Sequence, residues 1–189
     1  MDTELLITTL VTVSLAFIGF LVKYLNDLRL SQRSEKLARV NRQLSELYGP
    51  LFALTHASDT AWNAFTSEKG PGHVNIFEME HSPTESELQE WRLWMTTVFM
   101  PINLRMYEII LSKSDLLIET KMPECLLLFC AHLTAYQAVI KKWENNDYSE
   151  HLSIIAYPME IVEYSKNSYQ TIKAEQERLL GSKAKHVIS

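Results

Sequence analysis

Apolar residues recur at steps of three or four along most of this chain, with one exception near its start. Leu5–Val22 runs for 18 residues without a charge. At 1.5 Å per residue a helix of that length covers about 27 Å, close to the roughly 30 Å hydrocarbon core of a bilayer. A helix in a soluble core rarely goes five turns without a polar face. A secretory signal has a basic leading region and a small-residue cleavage site. Here Met1-Asp2-Thr3-Glu4 is acidic, and the run ends Gly19-Phe20-Leu21-Val22-Lys23. The pattern predicts an uncleaved single membrane span.

Helical spacing continues through Leu21, Leu25 and Leu28. It lapses in the polar patch Ser31-Gln32-Arg33-Ser34-Glu35, then resumes at Leu37, Val40, Leu44, Leu47, Leu51 and Leu54. One long helix to about Tyr48 follows, with the patch as a solvated stalk. Gly49-Pro50 predicts a kink, or a break with immediate restart, because an interior proline removes a donor and crowds the preceding turn. A second helix on Leu51, Leu54, Ala57, Ala61 and Phe65 ends at Gly70-Pro71-Gly72.

Residues 73–81 read as a loop. Ser82 and Pro83 suit a helix start. Leu88, Trp91, Met95, Val98 and Ile102 predict the next buried stripe, kinked at Pro101 and reaching about Lys113. Ser114-Asp115 suits a short turn. Pro123 opens a helix on Leu126, Phe129, Leu133, Tyr136, Ile140 and Trp143, which Asn145-Asn146-Asp147 stops. A last helix from Pro158 uses Val162, Ser165, Tyr169, Ile172 and Leu179, with Gly181 as its C-cap. The expected fold is all-α: an N-terminal transmembrane helix continuing into a cytoplasmic antiparallel bundle of about four long helices. Its parts are a tail and span over 1–22, a juxtamembrane stalk over 23–48, the bundle over 49–182 and a flexible tail over 183–189.

Charge orients the span. Lys23, Arg29, Arg33, Lys36, Arg39 and Arg42 follow it, and no Lys or Arg precedes it. Basic flanks stay cytoplasmic, so the N-terminus is expected outside and the rest in the cytoplasm. Asp27 and Glu35 reduce this stretch to a net +4. With Asp2 and Glu4, the chain total of −5 leaves −7 beyond Arg42. The basic stretch suits anionic lipid headgroups, at about 1 kcal/mol per cation close to the surface. The acidic remainder argues against general nucleic-acid binding, which needs a basic face.

Catalytic and metal motifs are absent from the sequence. There is no paired C-x-x-C, no H-E-x-x-H, no phosphate loop and no nucleophile elbow. Cys125 and Cys130 sit in an apolar run, read as reduced core thiols, and with His132 they do not converge from one helix. His73, Glu78, Glu80 and His81 are dense enough in polar groups for a metal loop, yet suit a solvated one. His56 and Asp59 are three apart and could exchange a proton, or simply share a helix face. No catalytic residue, metal or cofactor is expected.

Three other groups invite a functional reading. Trp91 and Trp94, with Arg92 and Arg105, could form a patch for a ligand or partner, or lie in an aromatic-rich core with surface ion pairs. Thr8, Thr12, Ala16 and Gly19 make a small-residue face suited to self-association of the span, though hydroxyls also bond their own backbone in any membrane helix. Tyr48, Gly49 and Pro50 are a candidate hinge, or a fixed corner.

Glu35-Lys36-Leu37-Ala38-Arg39-Val40-Asn41-Arg42-Gln43-Leu44, followed by Leu47-Tyr48-Gly49-Pro50-Leu51, resembles a group of small bacterial single-pass membrane proteins of unknown function. Those proteins share a charged juxtamembrane helix and an L-Y-G-P-L segment. The resemblance covers about the first 65 residues, implies a bacterial inner membrane and brings no catalytic residues. The expected function is non-enzymatic: an anchored helical domain presented to a protein partner or ligand. The alternatives are a self-associating membrane effector of a stress or anti-phage type, forming homo-oligomers, and a membrane-face enzyme using His56 or His73.

Overall fold

The computed structural model describes residues 3–67 and 82–184, and among these it is all-α, with no strand. Four unbroken helical runs account for it. The first joins α1 (Thr3–Arg42) through a π-helical turn (Gln43–Tyr48) to α2 (Gly49–Ser67). The second joins α3 (Glu85–Trp94) through another π turn (Met95–Phe99) to α4 (Met100–Ser112). A 3₁₀ turn, Ser114–Leu116, precedes α5 (Glu124–Glu144), and α6 spans Glu160–Ala184.

Each π turn lies just before a proline. Pro50 and Pro101 have no N–H to give, and their rings press on the preceding turn. A π turn widens that turn by one residue, with bonds from i to i−5. Gly49 N–H thus reaches Leu44 O, and Met100 N–H reaches Met95 O. The helix continues through Gly49-Pro50, so the break that was one of the two expectations does not occur, and Gly49 keeps ordinary helical angles (φ −65°, ψ −55°). A Cβ on Gly49 would collide with the Leu44 carbonyl oxygen. The site needs glycine for close approach, and its backbone is unstrained.

The extra residue rotates the buried face. After Met95 the expected stripe ran through Val98 and Ile102; the structure instead buries Phe99, Asn103, Met106 and Ile110. In the first run Gln43, Leu47, Tyr48, Leu51, Thr55 and Ser58 are buried, while Leu44 and Leu54 are half-buried.

Helix ends follow simple chemistry. Thr84, not Ser82, caps α3, through a reciprocal box with Glu87. Asn146, at φ 60°, takes the left-handed position just after α5. Gly181 is not a cap, because α6 runs on to Ala184.

The chain divides into two compact units, Met1–Asn41 with Gln176–Ser189, and Arg42–Glu175. In the first, every residue from Thr3 to Gln32 is exposed. This helix is long and apolar enough to cross a membrane. Val40 and Leu179 are buried, Arg33 donates to the Leu179 carbonyl, and Gln176 donates to Asn41 at 2.7 Å. Half-buried Arg33 makes the polar patch less solvated than its composition suggests.

Among the described residues of the second unit are two apolar clusters. One gathers Leu51, Met106, Ile110, Leu126, Phe129 and Ile161. The other is built on Phe65, Trp91, Phe99, Leu133, Tyr136 and Trp143.

Candidate functional site

The second cluster lines part of a half-open cavity of about 580 Å³. Sites for small molecules fall in the range of roughly 300–1,000 Å³. Ser58, Asp59 and Trp62 of α2 form one side. Trp91, Met95 and Phe99 form another, and the π turn brings the last two there. Asn103 of α4 and His132 and Tyr136 of α5 continue the wall. The connector before α6 closes it with Leu152–Tyr157.

That connector, residues 145–159, has no helix or strand up to the first turn of α6. Irregular backbone needs partners for its polar groups. Side chains of α3 and α5 supply them. Tyr136 Oη donates to His151 O at 2.6 Å, and Trp91 Nε1 donates to the same oxygen at 3.0 Å. Trp143 Nε1 donates to Glu150 O at 2.7 Å, and Lys142 pairs with the Glu150 carboxylate at 2.7 Å. His132 Nδ1 lies 2.6 Å from Ile155 O. The aromatic residues thus pack with their rings and hold the connector with their polar ends.

The Ile155 carbonyl can only accept, so His132 carries its proton on Nδ1. Its Nε2 is then an acceptor while the ring is neutral. Burial lowers the His132 pKa, which keeps it neutral near pH 7. Burial raises the Tyr136 pKa, and burial together with the charge of Asp59 raises that of Tyr157. Asn103 is 4% exposed, and its Oδ1 has no hydrogen-bond partner. An unsatisfied buried acceptor costs about 1–3 kcal/mol. At the rim, Ile154 of the lining connector is 90% exposed.

The other sequence candidates are scattered. Trp91 lines the cavity, and Trp94 packs against Phe65 at 5.1 Å. Arg92 pairs with Glu85 at 2.6 Å and lies 4.4 Å over the Tyr148 ring. Arg105 is exposed and pairs with Glu108 on its own helix. Asp59 accepts from Asn63, while His56 is exposed against Phe52. Cys125 and Cys130 are free and half-buried, and burial raises both thiol pKa values. His73, Glu78, Glu80 and His81 lie outside the described residues. Among the described residues no group of His, Cys, Asp or Glu could hold a metal ion.

Thr8 and Thr12 donate to Glu4 O and Thr8 O, one turn back, at 2.9 and 2.8 Å. Ala16 and Gly19 are exposed, with open space around the Gly19 Cα. The Tyr48-Gly49-Pro50 segment is fastened. Gln43 Nε2 donates to Leu116 O at 2.8 Å, Lys113 pairs with Glu46 at 2.7 Å, and Tyr48 Oη accepts from Ile118 N at 2.9 Å.

Sequence reasoning missed Asn103, Phe99 and the connector as parts of one site. The two prolines were the available signal, since each marks the π turn that rotates its helix face.

No family model matches the chain, and neither the curated proteins nor the solved structures offer a match. The resemblance carried by the L-Y-G-P-L segment remains an expectation.

Proposed function

We propose that this is a non-enzymatic, single-pass protein of the bacterial inner membrane, whose cytoplasmic helical bundle binds a small, mainly apolar ligand. The observation that carries the reading is the cavity of about 580 Å³, walled by Trp62, Trp91, Phe99 and Tyr136 and closed by a connector tied down at its carbonyls. Apolar walls with a few convergent polar groups are the usual composition of a ligand site. The exposed apolar helix supports anchoring, and the cations after Val22 support a cytoplasmic domain near anionic headgroups. Among the described residues nothing in the cavity pairs a nucleophile with a base, which favours binding over catalysis.

The experiment is a fragment screen by ligand-detected NMR on the full-length protein in lipid nanodiscs. Aromatic fragments of about ten non-hydrogen atoms should bind the wild type. They should lose binding in Ala156→Trp, which places an indole at the cavity wall. Absence of binding to the wild type, or binding unaltered by Ala156→Trp, would overturn the reading.

A further inference from the structure

We infer that the cavity selects an organic cation with an aromatic or planar body and hydrogen-bond donors. The inference rests on the ligand-binding reading above and names its ligand class. Two polar side chains of the wall have given up their protons to the connector. Tyr136 has given its O–H to His151, and His132 has given its Nδ1–H to Ile155, so Nε2 offers a lone pair. Asn103 Oδ1, buried in the wall, has no partner. Asp59 uses Oδ2 toward Asn63 and is the one formal charge in the wall, since no Lys or Arg lines the cavity among the described residues.

The apolar side agrees. Trp62, Trp91 and Phe99 stand with ring centroids 6.1, 6.0 and 6.2 Å apart and line the same cavity as Asp59, which precedes Trp62 by one turn of α2. Ring faces carry negative potential and attract cations, while a carboxylate beside them repels anions. A neutral ligand would leave Asp59 unmatched, and an anion would meet that carboxylate and, among the described residues, no fixed cation.

The test uses the full-length protein in zwitterionic phosphatidylcholine nanodiscs and three probes with one ring system. Tryptamine is a cation at pH 7, indole is neutral and indole-3-acetate is an anion. Dissociation constants come from ligand-detected NMR titration against empty nanodiscs. Tryptamine should bind tighter than indole by on the order of five-fold, and indole-3-acetate should bind weakest. Asp59→Asn should bring tryptamine to the level of indole and leave indole unchanged. If the anion binds as well as the cation, or the tryptamine preference survives Asp59→Asn, the cation assignment falls while indole binding still upholds the cavity. If none of the three binds, both readings fall.

Discussion

Tyr136 and Trp91, on two different helices, donate to one carbonyl oxygen, that of His151, at 2.6 and 3.0 Å. A single acceptor therefore ties α3, α5 and the connector together. Tyr136→Phe removes one donor and keeps the ring. It should cost about 1 kcal/mol in urea denaturation and speed amide exchange in residues 150–156. Trp91→Phe should cost more, through lost packing as well. The double variant should cost more than the sum, because each donor partly covers for the other and only the double loss leaves the carbonyl unsatisfied.

Glycine-to-alanine changes should have opposite signs at two helical positions. Gly181 has open space around it, so Gly181→Ala should stabilise by about 0.5–1 kcal/mol. Gly49→Ala drives a methyl into the Leu44 carbonyl and should destabilise by on the order of 1–3 kcal/mol. Thermal melts of the two variants decide the matter, and stabilisation by Gly49→Ala would contradict the π turn.

Mild acid should weaken the fold through buried His132 and half-buried His151. His132 sits with its ring 5.6 Å from Tyr136 and 5.4 Å from Tyr157, and burial holds its pKa below the ordinary 6.5. His151 is lowered by burial and by Arg92. Below about pH 6.5 the unfolded chain takes up protons that the folded one refuses, so stability declines with pH until the folded values are reached. The lowered carboxylates Glu46, Glu85 and Asp147 act only in the more acidic carboxylate range. Urea midpoints at pH 7.5 and 5.5 should differ, and less so in His132→Asn combined with His151→Asn.

Asn103→Leu should separate stability from binding. It replaces a buried amide whose Oδ1 has no partner by an apolar group of similar shape. The free protein should gain about 1 kcal/mol, while tryptamine binding weakens several-fold. A loss of stability would mean that the amide is satisfied in solution.

Orientation can be read with single cysteines in a Cys125→Ala, Cys130→Ala background. Thr3→Cys should react with an impermeant maleimide on spheroplasts. Gln170→Cys should react only after lysis. The reverse pattern would invert the proposed topology.

The helices were legible in the chain because long amphipathic segments carry a strong period. Pro123, Asn145 and Pro158 marked their ends within two residues. The phase within them was less legible. Each π turn adds one residue, so a stripe projected forward from Met95 falls on Val98 and misses Phe99 and Asn103. One buried hydroxyl misled in another way. Thr55 lay off the expected stripe, yet its oxygen is 2.7 Å from that of Ser165, which was on the expected face of the last helix. The connector has no period at all. Its carbonyls are placed by partners far along the chain, and a local pattern does not encode that.

The tie between indoles and the connector gives the protein an optical gauge of its own. Trp91 and Trp143 each hold a connector carbonyl through the ring N–H, and Trp62 and Trp91 face the cavity. Intrinsic emission therefore responds to two events. Release of the connector hydrates Trp91 and Trp143 together and shifts their light to the red. A molecule settling beside Trp62 quenches or brightens it with those carbonyls still in place. Trp143→Phe separates the two signals, so occupancy and opening can be timed in one unlabelled sample.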